Sequence, residues 1–154
     1  PILFPDVIHR WAREYNNAYV IVESNDQGAV VANGLYYDIE YENTYVESMV
    51  KAGAIGMTMN RKVKRIGCSH LKDLLEENKL KIVDLDTISE CSTFEARGNS
   101  FEASDGNHDD LVMNLVLFSW YVGTETFLNQ TDVNYLVKYK KAQYNSALEL
   151  KYFS

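Results

Sequence analysis

The stretch Asp110–Val122 constrains this chain more than any other. Read as a helix it is apolar on nearly every side, interrupted only by Asn114 and Ser119. A helix of that kind cannot lie on a surface, so the rest of the chain must supply elements to cover it. Neither this run nor any other reaches the ~18 apolar residues of a membrane span. The reading is therefore a buried helix inside a layered domain.

The covering elements are legible in order. Pro5 and Asp6 suit the first turn of a helix, where a missing N–H costs nothing and an acid meets the positive helix end. Val7, Ile8, Trp11, Ala12 and Tyr15 then recur as one buried helix face, which Asn16-Asn17 ends. Ala18–Val22 reads as a strand covered on both faces and stopped by Glu23-Ser24-Asn25-Asp26. A helix is expected from about Gln27 to Asp38, with Asp26 or Asn25 as N-cap. Tyr45–Val50 reads as a strand, Lys51–Met59 as a loop and Arg61–Arg65 as a basic cluster. Ser69 is expected to cap a helix with Leu71, Leu74 and Leu75 inside, ending near Asn78. A short strand at Leu80–Val83 and a helix capped by Asp86, carrying Ile88, Cys91 and Phe94, come next. Gly98-Asn99 signals a turn that would pair Phe101–Ala103 in a hairpin. Strands alternating with helices predict an α/β layered domain. The residues beyond Phe127 read as a peripheral helical tail.

Length and charge narrow the function. The 154 residues argue for one domain with a core of its own. Fifteen basic against 22 acidic residues give a net charge of −7, which excludes a generally basic nucleic-acid binder but not a local basic patch. The two cysteines, Cys68 and Cys91, match no metal spacing and no disulfide framework. With no signal-peptide pattern at the start, a reducing intracellular setting is the expected one.

Two acidic positions stand out by placement. Glu23 closes the strand, and the carboxyl ends of such strands are where α/β sheets hold ligands. Asp109 and Asp110 open the apolar helix after Gly106-Asn107-His108. Carboxylates gathered from such termini would repel one another unless a cation neutralised them, and their hard oxygens suit Mg²⁺ or Mn²⁺. Taken singly, Asp109 is better explained by helix capping and Glu23 by an exposed strand end; the two at separate element termini shift the balance only modestly toward a ligand. Arg61, Lys62, Lys64 and Arg65 put four cations into five residues just ahead of Ser69 and Lys72. A helix starting at Ser69 would add free N–H groups, and both features favour phosphate; a solvated loop is the competing reading. His108 ranks first as an outer-shell partner of the acidic pair. His9, His70 and the scattered tyrosines read as packing residues.

Three segments together resemble a known family. Val20-Ile21-Val22-Glu23-Ser24-Asn25, then Lys64-Arg65-Ile66-Gly67-Cys68-Ser69-His70-Leu71-Lys72-Asp73-Leu74, then Gly106-Asn107-His108-Asp109-Asp110-Leu111-Val112-Met113 occur in the order seen in the C-terminal nuclease domain of large terminase subunits. These are the DNA-packaging motors of tailed bacteriophages, and the likeness is to the T4-like group. The resemblance runs from about Pro5 to Thr126. It implies an RNase H-like mixed sheet flanked by helices, in a nuclease domain over residues 1–126 with a tail over 127–154. It implies metal-dependent cutting of concatemeric double-stranded DNA, in which three acidic residues hold two Mg²⁺ or Mn²⁺ ions. Glu23 matches the strand-end glutamate. Asp110 matches the helix-start aspartate, with Asp109 beside it and His108 behind. Arg61, Lys62, Lys64, Arg65, Ser69 and Lys72 would grip the phosphate backbone without reading sequence. The implied partners are the terminase ATPase domain, the small terminase and the portal, in the cytoplasm of an infected bacterium and away from any membrane.

The family's first catalytic aspartate lies on an opening strand ahead of the helix that starts here at Pro5, and Pro1-Ile2-Leu3-Phe4 holds no carboxylate. The expectation is a nuclease domain without its first strands, with weak or absent cutting by this chain alone. A non-catalytic DNA-gripping module of the same fold is the alternative. Another RNase H-like enzyme, a resolvase or transposase, is a third reading that the Lys64–Leu74 segment disfavours.

Overall fold

Proline at its first turn and Asp6 beside it start helix α1, which spans Phe4–Glu14. Its inner face is Pro5, Ile8 and Ala12; Ala12 packs with Leu35 and Tyr41 in one buried cluster, with Ile8, Ala18, Val20, Val22 and Ile39 around it. Val7, Trp11 and Tyr15, expected inside, are exposed, and the Trp11 and Tyr15 rings stack on each other outside. The apolar arc is wider than the core it meets, and periodicity alone does not say which edge turns inward. The structure, a computed structural model, describes residues 3–48, 54–98 and 100–131. By contacts the chain divides into two units, Pro1–Arg61 and Lys62–Ser154.

In the first unit, residues 18–24 run extended between two neighbours. Val20 bridges Thr44 and Glu23 bridges Met57, both in parallel sense. The Val20 amide donates to Asn43 O, and the Met57 amide donates to Val22 O. Helix α2 spans Gly28–Asn33 and continues as a π-helical turn over Gly34–Asp38. Neither expected residue caps it. Gln27 stands at the N-cap without a side-chain bond. Asp26 is left-handed at φ 48°, and Asn25 instead exchanges two 2.8 Å hydrogen bonds with the Met59 backbone. Strand β1, Val46–Ser48, pairs antiparallel with β2, Ala54–Ile55. The expected loop at 51–59 thus contains a strand: Ala54-Ile55-Gly56-Met57 lacks period-two alternation, so only its partners reveal it. Residues 49–53 lie outside those described.

The second unit carries the larger corrections. Helix α3 spans Arg61–Glu76, so the basic cluster forms its first turns and Ser69 lies in its interior. Lys and Arg are good helix formers, and Val63, Gly67 and Leu71 make a buried stripe that begins well before Ser69. Gly67 sits where an added Cβ would overlap the carbonyl oxygen of Val116. The weak helix propensity of glycine is thus exchanged for close helix–helix approach.

No ladder forms at Leu80–Val83, and Val83 is exposed. Helix α4 spans Leu85–Thr93 and is capped by Asp84 rather than Asp86. The Asp84 Oδ2 accepts from the Thr87 amide at 2.8 Å and from the Thr87 hydroxyl at 2.7 Å. Those bonds hold the Asp84 carboxyl below the usual carboxylate range. Strands β3, Phe94–Arg97, and β4, Ser100–Ala103, form the expected hairpin.

Helix α5 spans Asp110–Val122 as predicted. Val112, Val116, Leu117, Ser119 and Tyr121 are buried, while Leu111 and Phe118 are exposed, so one side faces out after all. Leu71, Val112 and Val116 centre the core here, ringed by Cys68, Leu75, Cys91 and Phe94 among others. Helix α6, Glu125–Gln130, is capped by Thr124 and meets α5 through the edge-on pair Tyr121–Phe127. The expected tail lies outside the described residues from 132 onward. Helices with short paired strands in each unit make a mixed α/β organisation, in line with the expected class.

Candidate functional site

Glu23 occupies the end of the extended segment in the first unit and is exposed. Its backbone is pressed by the start of α2: a Cβ on Gly28 would overlap the Glu23 carbonyl oxygen. The glycine five residues on therefore lets the chain fold back over the strand end. Beside it, the Ser24 and Thr58 hydroxyls lie 3.4 Å apart, and Thr58 donates to Glu47 Oε2 at 3.3 Å. Glu47 thus joins this strand end, although the sequence shows it only as one polar residue within a strand.

At the start of α5 in the second unit, three carboxylates have three different surroundings. Asp109 holds the N-cap position but its side chain caps nothing. It accepts from the Ala103 amide at 3.3 Å and lies 4.0 Å from Lys64 Nζ. The plain capping explanation for Asp109 therefore fails. Glu90 of α4 does that work instead, its Oε2 accepting from the Leu111 amide at 2.7 Å and the Val112 amide at 3.2 Å. Asp110 is exposed, and its carboxylate has no hydrogen bond or ion pair among the described residues. Sequence reasoning missed Glu90. Nothing local could have found it, because it reaches α5 from another helix.

His108 is exposed and lines an open polar depression of about 250 Å³ with Asp86, Ser89, Glu90 and Asn107. Its expected place beside the acidic pair is thus a shared rim with Glu90.

The phosphate-binding candidates fall on α3 in two groups. Arg61, Lys62, Arg65, Ser69 and Lys72 are exposed, and helical spacing gathers them on one face. Lys72 also pairs with Glu76 at 3.7 Å. Lys64 turns the other way: its side chain is 20% exposed, paired with Asp109 and 5.8 Å from the centre of the Phe94 ring. Since α3 begins at Arg61, Ser69 contributes a hydroxyl but no free helix-start N–H. Arg61 and Lys62 stand instead at the positive end of their own helix, with no acid in its first turn. That placement opposes the macrodipole.

An apolar cavity of about 460 Å³ lies between α3, α4, the hairpin and α5, lined in part by Cys68, Leu75, Cys91 and Phe101. Burial pushes both thiols up, Cys68 against the opposing effect of Lys64 and Cys91 with the help of Glu90. They behave as small core residues.

A sequence model of the family described as "Terminase RNaseH-like domain" matches residues 1–118. The chain belongs to that family. The match takes in Glu23, all of α3 and the start of α5. A terminase RNase H-like domain is a nuclease-type module, and its carboxylates offer the hard oxygen donors that Mg²⁺ and Mn²⁺ take. Of the acids at the start of α5, Asp110 has the exposed carboxylate. Among the described residues no group of three or more His, Cys, Asp or Glu side chains is gathered closely enough to hold a metal ion. Among them, too, no helix is long and apolar enough to cross a membrane.

Proposed function

We propose that this terminase RNase H-like domain is the nuclease of a tailed-phage large terminase of the T4-like group, cutting concatemeric double-stranded DNA during packaging. The observation that carries this reading is the family match over residues 1–118. Glu23 and Asp110 are each assigned as a carboxylate ligand for Mg²⁺ or Mn²⁺, of which the family reading calls for two. When bound, such ions supply the Lewis-acid charge that activates water and steadies the departing 3′ oxygen. The protein's own part is to present the two carboxylates and to hold the duplex. Arg61, Lys62, Arg65 and Lys72, with the Ser69 hydroxyl, contact phosphates along one helix face, a grip without base readout. Lys64 and Asp109 hold each other and brace the start of α5, and His108 flanks it. The ATPase domain, small terminase and portal are the partners this role requires, in the cytoplasm of the host bacterium.

Plasmid cleavage with Mg²⁺ or Mn²⁺ tests the reading, in a terminase carrying this domain with its motor. Asp110→Asn or Glu23→Gln is expected to remove cutting while ATP hydrolysis and DNA binding persist. Wild-type cleavage by Asp110→Asn overturns the assignment.

The basic face of α3 favours a second reading, a DNA-gripping module without chemistry. It predicts salt-sensitive binding that Glu23→Gln leaves unchanged and that neutralising the α3 cations abolishes. The family match favours either over a resolvase or transposase.

A further inference from the structure

We infer that Glu90 is the positioning residue for Asp110, an inference that rests on the metal-ligand role proposed above. The first turn of a helix has free amides, and in most helices the N-cap side chain takes them. At α5 the N-cap residue is Asp109, yet its carboxylate is turned away to the Ala103 amide of β4 and to Lys64 of α3. One oxygen of Glu90 takes both the Leu111 and Val112 amides instead. These are the two residues directly after Asp110.

The consequence is a division of labour among three neighbouring acids. Glu90 satisfies the helix start, which leaves Asp109 committed to β4 and α3. With both of its neighbours held, the backbone at Asp110 is fixed from either side, and its carboxylate is the one left exposed. Without Glu90, the N-cap residue Asp109 is the acceptor a helix start ordinarily uses for such amides. Turning it inward would break its bonds to Ala103 and Lys64 and rotate the peptide that carries Asp110. Glu90 therefore acts through geometry, by accepting two N–H bonds, and not by touching a substrate or an ion. Partners of that kind commonly carry much of a ligand's effectiveness.

Two readings on the full chain test this. Amide hydrogen exchange at Leu111 and Val112 reports the capping, and paramagnetic broadening around Asp110 by Mn²⁺ alone reports the presentation of the carboxylate. Glu90→Ala is expected to speed exchange at both amides by about tenfold or more. It is expected to weaken Mn²⁺ broadening at Asp110 by about tenfold, the scale typical of outer-shell losses. Glu90→Gln keeps an acceptor oxygen without the charge, and is expected to restore both. Should Glu90→Ala fail to fold, Glu90→Asp, shorter by one methylene, carries the same two readings.

Slow exchange retained in the truncated variant overturns the inference. So does unchanged Mn²⁺ broadening, and so does a Glu90→Gln variant that keeps slow exchange yet loses Mn²⁺, which would make the role one of charge. Absence of Mn²⁺ broadening at Asp110 in the wild-type chain overturns the metal reading itself, and this inference with it.

Discussion

Helices α3 and α5 open with opposite charge. α5 starts at Asp109-Asp110, where the macrodipole and the free amides favour an acid. α3 starts with Arg61 and Lys62, followed by Lys64 and Arg65, where each exposed cation is disfavoured by about 0.3–1 kcal/mol. The acids at α5 have a structural reason to be present, and two of the three carboxylates gathered there are used structurally. The exposed cations that open α3 gain nothing of that kind from the helix dipole, while Lys72, further along, pairs with Glu76. Charge that works against its own helix is therefore a stronger pointer to a ligand than charge that works with it. At α5 the pointer is narrower: it is the one acid, Asp110, that the helix start does not use.

The largest effect that could break this comparison is on cutting. Asp110→Asn is expected to abolish cleavage while changing stability by no more than about 1 kcal/mol, the worth of one charge at a helix start. Thermal melting alongside the plasmid assay separates the two. A variant that melts much earlier yet still cuts would make Asp110 a capping residue like any other.

Next in size is the response of DNA binding to salt. Replacing Arg61, Lys62, Arg65 and Lys72 together by Gln is expected to flatten the slope of log K against log salt by up to about 3.6, at roughly 0.9 per phosphate. Melting should be nearly unchanged, because the charges lost at Arg61 and Lys62 opposed the dipole, which offsets the small loss of the Lys72–Glu76 pair. Lys64→Gln is the internal contrast. It should leave the slope alone and cost about 1 kcal/mol or less through the lost Asp109 pair. A falling melting temperature in the four-fold variant would give those cations a structural purpose and end the argument.

Gly67→Ala probes the place where α3 meets α5. The added methyl overlaps Val116, so a loss of about 1–3 kcal/mol is expected in urea denaturation, the usual cost of overpacking. An unchanged midpoint would mean the two helices separate freely.

The smallest effect is on pH. Thr87 lowers the Asp84 pKa in the folded chain, so the cap of α4 is at full strength above the unfolded carboxylate pKa of about 3.9 and fades as pH falls through the folded value. Amide exchange at Thr87 should quicken over that acid range. Asp84→Asn, which caps without titrating, should remove the pH dependence and keep the protection. An acid response identical in both variants would assign it to other groups.

What could be read from the residues alone was whatever one segment decides for itself. The bounds of α5 followed from its long, nearly apolar run, the hairpin from Gly98 between short strands, and α1 from Pro5 and Asp6. The misreadings share a cause. Ser69 looked like a cap because serine caps helices locally, yet Val63 and Gly67 extend the buried stripe upstream against Val116. Asp84 and Asp86 are equally good caps by composition, and the Thr87 side chain chose between them. Leu80–Val83 has strand composition and no partner, whereas Ala54–Ile55 has a partner and little strand composition.

The amino-acid order thus determined α1, α5 and the hairpin, and placed Asp109 and Asp110 together at the head of the most apolar helix. Only the tertiary structure decided which acid does what. Capping, an ion pair and exposure all depend on donors that arrive from elsewhere: the Leu111 and Val112 amides turned to Glu90 of α4, the Lys64 ammonium of α3, the Ala103 amide of β4. Hydrogen bonds are short and directional, so they are assigned by which elements meet, and that is information no single stretch of sequence contains.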